Sequence, residues 1–205
     1  VATSKMRKAQ EAALAARAYG RRLHAILLQL SRHVDPSLHP LLVERPVDRE
    51  LVVVISTDKG LCGALNSNLF RGLLKFDAAR TEHVVCGRKA KQFLTRTNRT
   101  IAAAFEVGDS VPFREVRAVA KYCLRRYIDG EVDRVTVVLS HFVNTLRQTP
   151  MTQTILPVTP LSELEEAGEK AKSEALLEDI EFLLEPDPRT VLDLLMPHYF
   201  NYALY

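Results

Sequence analysis

The residues best placed by type and spacing to do chemistry lie in one loop, Ser56-Thr57-Asp58-Lys59-Gly60-Leu61-Cys62-Gly63-Ala64-Leu65-Asn66. It follows a β-branched run and opens a helical pattern, which is where α/β proteins hold phosphates on helix N-terminal N–H groups. The residues complete neither phosphate motif. A Walker A loop needs G-x-x-x-x-G-K-[ST], whereas Lys59 precedes Gly60 and nothing basic follows Gly63 in the loop. The dinucleotide fingerprint G-x-G-x-x-G is also missing. A tight glycine turn closing strand onto helix is the favoured reading, with a nucleotide-binding α/β enzyme domain as the alternative.

Cys62 precedes a helix start, a position that lowers a thiol pKa and can make a nucleophile. No His–Asp or His–Asn set is tied to it by local spacing, so cysteine catalysis is not expected. His24, His33, His39, His83, His141 and His198 form no metal-ligand cluster, and His83 and His141 fall in predicted strands, where a packed imidazole is expected. The acids between residues 161 and 187 are scattered along a polar stretch, which gives general acid–base work no apolar pocket. No catalytic residue, cofactor or metal is expected on this chain.

The elements that position the loop follow from periodicity. β-Branched or apolar runs at residues 50–56, 82–86 and 100–106 predict strands. Helical patterns are expected from the loop to about residue 80, over 88–96, and over 112–129 with Pro112 at its first position. Residues 132–144 and 149–158 read as two strands joined by a tight connection, hence an antiparallel pair. The expected body, residues 48–160, is a Rossmann-like α/β domain with a parallel sheet and an antiparallel edge.

The flanks differ. Small or apolar residues recur at Ala2, Met6, Ala9, Ala13, Ala16, Gly20, Leu23, Leu27, Leu30 and Val34, alternating steps of four and three. That is the 3.5-residue period of a coiled-coil seam. About 33 residues at 1.5 Å each make a rod roughly 50 Å long, too long for a domain of this size to cover. An amphipathic helix packed on its own domain is the competing reading. A second helical pattern over 188–205 has apolar positions at Leu192, Met196, Tyr199 and Ala203, with Pro197 inside it to kink it or delay its start. Neither terminus carries a cap, and the chain reads as cut off in mid-helix at both ends.

The chain has 205 residues, 47% hydrophobic and 26% charged, values of an ordinary folded protein. No apolar run approaches the roughly 18–20 residues that span a bilayer. Three cysteines, Cys62, Cys86 and Cys123, suit reduced thiols better than a disulfide framework. The net charge of +3 hides a segregation: residues 1–33 carry a formal +6, and residues 161–187 a formal −8. Such asymmetry points to different partners at the two ends. The basic rod favours an acidic protein surface over nucleic acid, because alanines dilute its charge and no aromatic residue interleaves before Tyr19.

Three stretches resemble the γ-subunit family of F-type ATP synthases: Val1-Ala2-Thr3-Ser4-Lys5-Met6-Arg7-Lys8-Ala9, the loop from Ser56 to Asn66, and Glu185-Pro186-Asp187-Pro188-Arg189. In this reading Asp58, Lys59, Gly60, Leu61, Cys62, Gly63 and Asn66 form the family's hallmark loop. The resemblance implies an antiparallel coiled coil of N- and C-terminal helices, residues 1–34 and 188–205, with 161–187 as an acidic connector. It implies a non-catalytic rotor subunit that couples rotation of a membrane c-ring to conformational change in catalytic β subunits. Lys5, Met6, Arg7 and Lys8 would touch the acidic lever segments of β, and Phe182, Glu185, Asp187 and Arg189 would lie at the foot near the c-ring and ε. The implied partners are the α₃β₃ hexamer, ε and the c-ring, with no nucleic acid. The implied location is peripheral, on the cytoplasmic side of a bacterial inner membrane.

Overall fold

A computed structural model describes residues 6, 7, 10, 11, 23, 26, 39–106, 113–144, 147–158, 190, 191, 194, 195 and 198–201. The chain divides into two compact units, Pro40–Thr159 and a second made of Val1–His39 with Pro160–Tyr205. Lys5, Lys8, Pro112, Phe182, Glu185, Asp187, Arg189, Pro197 and the 161–187 connector lie outside the described residues.

In the first unit the order is β1 (Glu50–Ile55), α1 (Leu65–Leu73), β2 (Thr81–Cys86), α2 (Arg88–Arg96), β3 (Ile101–Phe105), α3 (Phe113–Ile128), β4 (Arg134–Asn144) and β5 (Arg147–Leu156). The five strands form one sheet in the order β3-β2-β1-β4-β5. The first four are parallel, and β5 is antiparallel to β4. The expected antiparallel edge is present.

Strand β1 is central, and Leu51, Val52, Val53 and Val54 are each 0% exposed. A strand covered on both faces needs a continuous apolar run rather than alternation, which is why ELVVVI reads as it does. Val52 and Val54 join Leu69 and Leu73 of α1, Val85 of β2, Ala90 and Leu94 of α2 and Val138 of β4 in one core cluster. Phe70 and Phe93 stack at 4.5 Å and bring α1 onto α2. Burying each such Leu or Val stabilises the fold by about 1.5–3 kcal/mol.

Helix α3 presents Val116, Val119, Ala120, Cys123 and Tyr127 as its buried stripe. Arg126 ties it to β2 through Glu82 at 3.1 Å, and also pairs with Glu131 and with the Tyr122 hydroxyl at 3.0 Å. The segment leading into β1 wraps the end of α3. The Tyr127 hydroxyl donates to the Val43 carbonyl at 3.1 Å, and the Arg45 guanidinium sits 4.8 Å over the Tyr127 ring. Asp133 accepts the backbone N–H groups of Asp48 and Arg49 at 3.1 and 2.9 Å. The Val158 N–H donates to the Leu41 carbonyl at 2.8 Å. The chain therefore enters and leaves this unit at neighbouring points.

One predicted boundary is corrected. Helix α1 ends at Leu73 rather than near residue 80. Lys75 and Phe76 donate to Gly72 and Leu73 in tight turns, Asp77 accepts the Ala79 N–H at 2.9 Å, and Phe76 packs on the core cluster. Burial of Phe76 and the aspartate turn override the continuing helical pattern.

In the second unit, Met6, Arg7, Gln10, Glu11, Leu23 and Ile26 are helical, as are Thr190, Val191, Leu194, Leu195 and residues 198–201. Met6 is 54% exposed, Leu23 is buried, and Arg7 pairs with Glu11 at 3.6 Å. Near the C-terminus Phe200 is buried at 1% exposure, a core position absent from the predicted seam.

Candidate functional site

The strand order places the loop after β1 at the carboxyl edge of the sheet, beside the β1–β4 boundary where the winding reverses. Ligands of doubly wound proteins bind at such a point. The hydrogen bonds show what the loop does there. A helix leaves its first N–H groups without intrahelical partners, and α2 has no side-chain cap of its own at Gly87. The loop caps α2 instead. Asp58 Oδ1 accepts the Arg88 N–H at 2.8 Å, the Thr57 carbonyl accepts the Lys89 N–H at 3.1 Å, and Ser56 Oγ accepts the Ala90 N–H at 2.9 Å. The side chain of Arg88 returns to the Asp58 carbonyl through Nε at 3.3 Å and Nη2 at 3.2 Å. The α2 N-terminus thus holds an anion, and that anion is the chain's own Asp58 carboxylate.

Such an approach of two backbones requires Gly87. Its φ is +104°, and a Cβ built there would lie 2.2 Å from the Ser56 carbonyl oxygen. The far side of the loop is held by Asn66, which donates from Nδ2 to Thr57 Oγ1 at 2.7 Å and to Cys62 Sγ at 3.2 Å. Thr57 Oγ1 in turn donates to the Lys59 carbonyl at 2.7 Å. Between these clamps the loop carries Leu61 at φ +62° and Gly63 at φ +59°. Leu61 is fully exposed at 110%.

Of the hallmark-loop residues, Asn66 meets Cys62 and Asp58 meets Arg88, whereas a Cβ at Gly63 would have nothing within 4 Å and one at Gly60 would meet the Lys89 side chain at 3.7 Å. Met6 and Arg7 lie on a helix of the other unit. Gly87 and Arg88 belong to the site although they lie outside the Ser56–Asn66 loop. The available signal was the absence of a local cap: Gly87-Arg88-Lys89 opens α2 with two cations against the helix dipole, so its acceptor had to come from elsewhere.

Two thiols and one imidazole are buried in the α/β unit. Burial pushes the thiols of Cys86 and Cys123 up to about 12, which keeps them protonated and unreactive. His83 is buried on β2, with Nδ1 3.0 Å from the Thr100 carbonyl and Nε2 lacking a partner. Desolvation holds its pKa below the ordinary histidine value. The packed imidazole expected for His83 is observed. Among the described residues, no group of three His, Cys, Asp or Glu side chains could hold a metal ion, and no helix is long and apolar enough to cross a membrane.

The sheet order and the self-capped loop define a Rossmann-like α/β unit whose phosphate-type position on α2 is filled from within. A family model described as ATP synthase matches residues 1–205. The whole chain aligns with the ATP synthase gamma chain of Opitutus terrae at 40% identity, covering 71% of that protein. It aligns likewise with that of Methylacidiphilum infernorum at 35% identity, again over 71%. Among solved structures, the central stalk and c-ring of the Tetrahymena thermophila mitochondrial ATP synthase matches with a TM-score of 0.58 at 20% identity, over 80% of this chain and 69% of that one. The rotor of the Euglena gracilis mitochondrial ATP synthase matches with a TM-score of 0.52 at 21% identity, over 98% of this chain and 81% of that one. The chain belongs to the ATP synthase gamma chain family.

Proposed function

We propose that this chain is the central-stalk rotor subunit of an F-type ATP synthase, turning with a membrane c-ring and driving catalytic β subunits through their conformations during ATP synthesis. The observation that carries the reading is the match of the whole chain to the ATP synthase family model and to ATP synthase gamma chains. The 2.8 Å hydrogen bond from Val158 to Leu41 supports it, because it brings the two ends of the α/β body together. Residues 1–34 form one shaft strand and 188–205 the start of the other, with 48–160 as the body and 161–187 as the acidic connector. The helical state of Met6, Arg7, Gln10 and Glu11, with Met6 exposed, supports this division.

Lys5, Met6, Arg7 and Lys8 form a collar facing acidic lever segments of β. Exposed ion pairs contribute only about 0–1 kcal/mol each, so the collar guides rotation without locking it. Phe182, Glu185, Asp187 and Arg189 lie at the foot, near the c-ring and ε. The clamped loop with Leu61 gives the body a rigid contact for a neighbouring subunit. The chain supplies no catalytic residue of its own and sits as a peripheral subunit on the cytoplasmic face of a bacterial inner membrane. Mixing the chain with α and β subunits tests the assignment: one copy per α₃β₃ hexamer is expected, and a mixture that stays unassociated under conditions that assemble the hexamer refutes it.

A further inference from the structure

Helix α3 has an outer face that neither its packing nor the rotor reading uses. Its buried stripe lies against the sheet, and Arg114, Arg117, Ala118, Lys121, Arg125 and Ile128 are exposed. At about 3.6 residues per turn these six share one face, and the four cations run along it in steps of three, four and four. From Arg114 to Arg125 the row is roughly 16 Å long at 1.5 Å per residue.

The row works against the helix that carries it. Like charges three or four residues apart on a helix repel and destabilise it. Arg114 and Arg117 also sit at the positive end of the helix dipole, where cations are disfavoured. On this face Arg125 pairs with Asp129 at 3.6 Å. The face thus already accommodates one carboxylate, spaced one helical turn away, and repeats the same cation pattern toward Arg114.

We propose that the outer face of α3 is a docking surface for an acidic helical segment of a partner protein, with carboxylates repeating every three or four residues. The cations form a line rather than a plane, matching a rod laid along α3 better than a lipid surface. Ala118 leaves a shallow notch amid the charges, and Ile128, 55% exposed, ends the row with an apolar contact that a nucleic acid backbone would leave unused. Arginine at three of the four positions suits paired hydrogen bonding to carboxylates. This site is independent of the collar at Lys5–Lys8 and of the rotor assignment.

The test titrates the full chain with a labelled alanine-based helical peptide carrying four glutamates at the spacing of the four cations. An isomer with the same glutamates in one consecutive run is the control ligand. The spaced peptide is expected to bind more tightly than its isomer. The Arg114→Ala/Arg117→Ala/Lys121→Ala chain should weaken that binding about tenfold, a loss of about 1.4 kcal/mol. An exposed control triple, Arg71→Ala/Lys75→Ala/Lys91→Ala, should leave it unchanged, and the α3 triple should melt no lower than the wild type, because it relieves the repulsion along the helix. Equal binding of the two peptides, or equal loss in the two triples, overturns the proposal. So does phosphatidylglycerol-vesicle or duplex-DNA binding that exceeds peptide binding and vanishes in the α3 triple alone.

Discussion

Asp58 and Arg88 hold each other twice: the aspartate carboxylate takes the arginine backbone N–H at 2.8 Å, while the arginine guanidinium takes the aspartate carbonyl at 3.2 and 3.3 Å. The two residues are 30 positions apart and sit on different βα units. Their contact joins the β1–α1 loop to the start of α2.

Asp58→Ala removes a helix cap, and losses of this kind cost about 0.5–2 kcal/mol. A lower melting temperature is expected, together with faster amide exchange at Arg88, whose N–H loses its acceptor, than in the wild type. Asp58→Asn keeps an acceptor oxygen and should recover most of the lost stability. Unchanged exchange in Asp58→Ala would show that the loop is held by other means.

Gly87→Ala puts a methyl group into the Ser56 carbonyl at a φ of +104°. Strain of this kind costs on the order of 1–3 kcal/mol before the clash is counted. Gly130→Ala makes the useful comparison, because its φ is +71° but nothing lies within 4 Å of the added Cβ. Chemical denaturation should find Gly87→Ala clearly the less stable of the two; equal losses would mean that the close approach to Ser56 is relaxed at no cost.

His83 gives the α/β unit an acid-sensitive point. Its folded pKa is depressed, chiefly by burial, from an ordinary value of 6.5. Between the depressed value and 6.5 the unfolded chain binds the proton and the folded chain does not, so unfolding gains from acid. The stability is fully present above about pH 6.5 and is lost as pH falls toward the folded value. Urea midpoints measured from pH 8 down to pH 5 should decline, and the decline should be shallower in His83→Gln. An identical slope in the variant would assign the acid sensitivity to other groups.

Replacing Lys5, Arg7 and Lys8 together with alanine is expected to lower ATPase rate or coupling in the assembled complex while leaving the melting of the α/β unit unchanged. Normal coupling in the triple variant would remove the collar from the account.

Most of the sheet was legible in the chain because each strand announces itself locally. The β-branched run at Leu51–Val54 is continuous since β1 is covered on both faces, and Arg88–Arg96 matches its predicted helix residue for residue. What local pattern could not show depends on partners distant in sequence. The end of α1 at Leu73 follows from the burial of Phe76 against strands and helices elsewhere. The capping of α2 by Ser56, Thr57 and Asp58 links residues 30 to 34 positions apart, and the requirement for Gly87 exists only once the Ser56 carbonyl has arrived beside it. The loop was recognisable as a glycine turn, but its function as the cap of a neighbouring helix was not. The adjacency of Leu41 and Val158 likewise appears only when β5 has closed the sheet.

The most direct measurement of the central claim is rotation. With the α₃β₃ hexamer fixed to a surface and a bead attached to the exposed outer side of α2 through Lys91→Cys, ATP hydrolysis should turn the bead in one direction, in discrete steps. A bead that stays still while the same immobilised complexes hydrolyse ATP would contradict the rotor assignment.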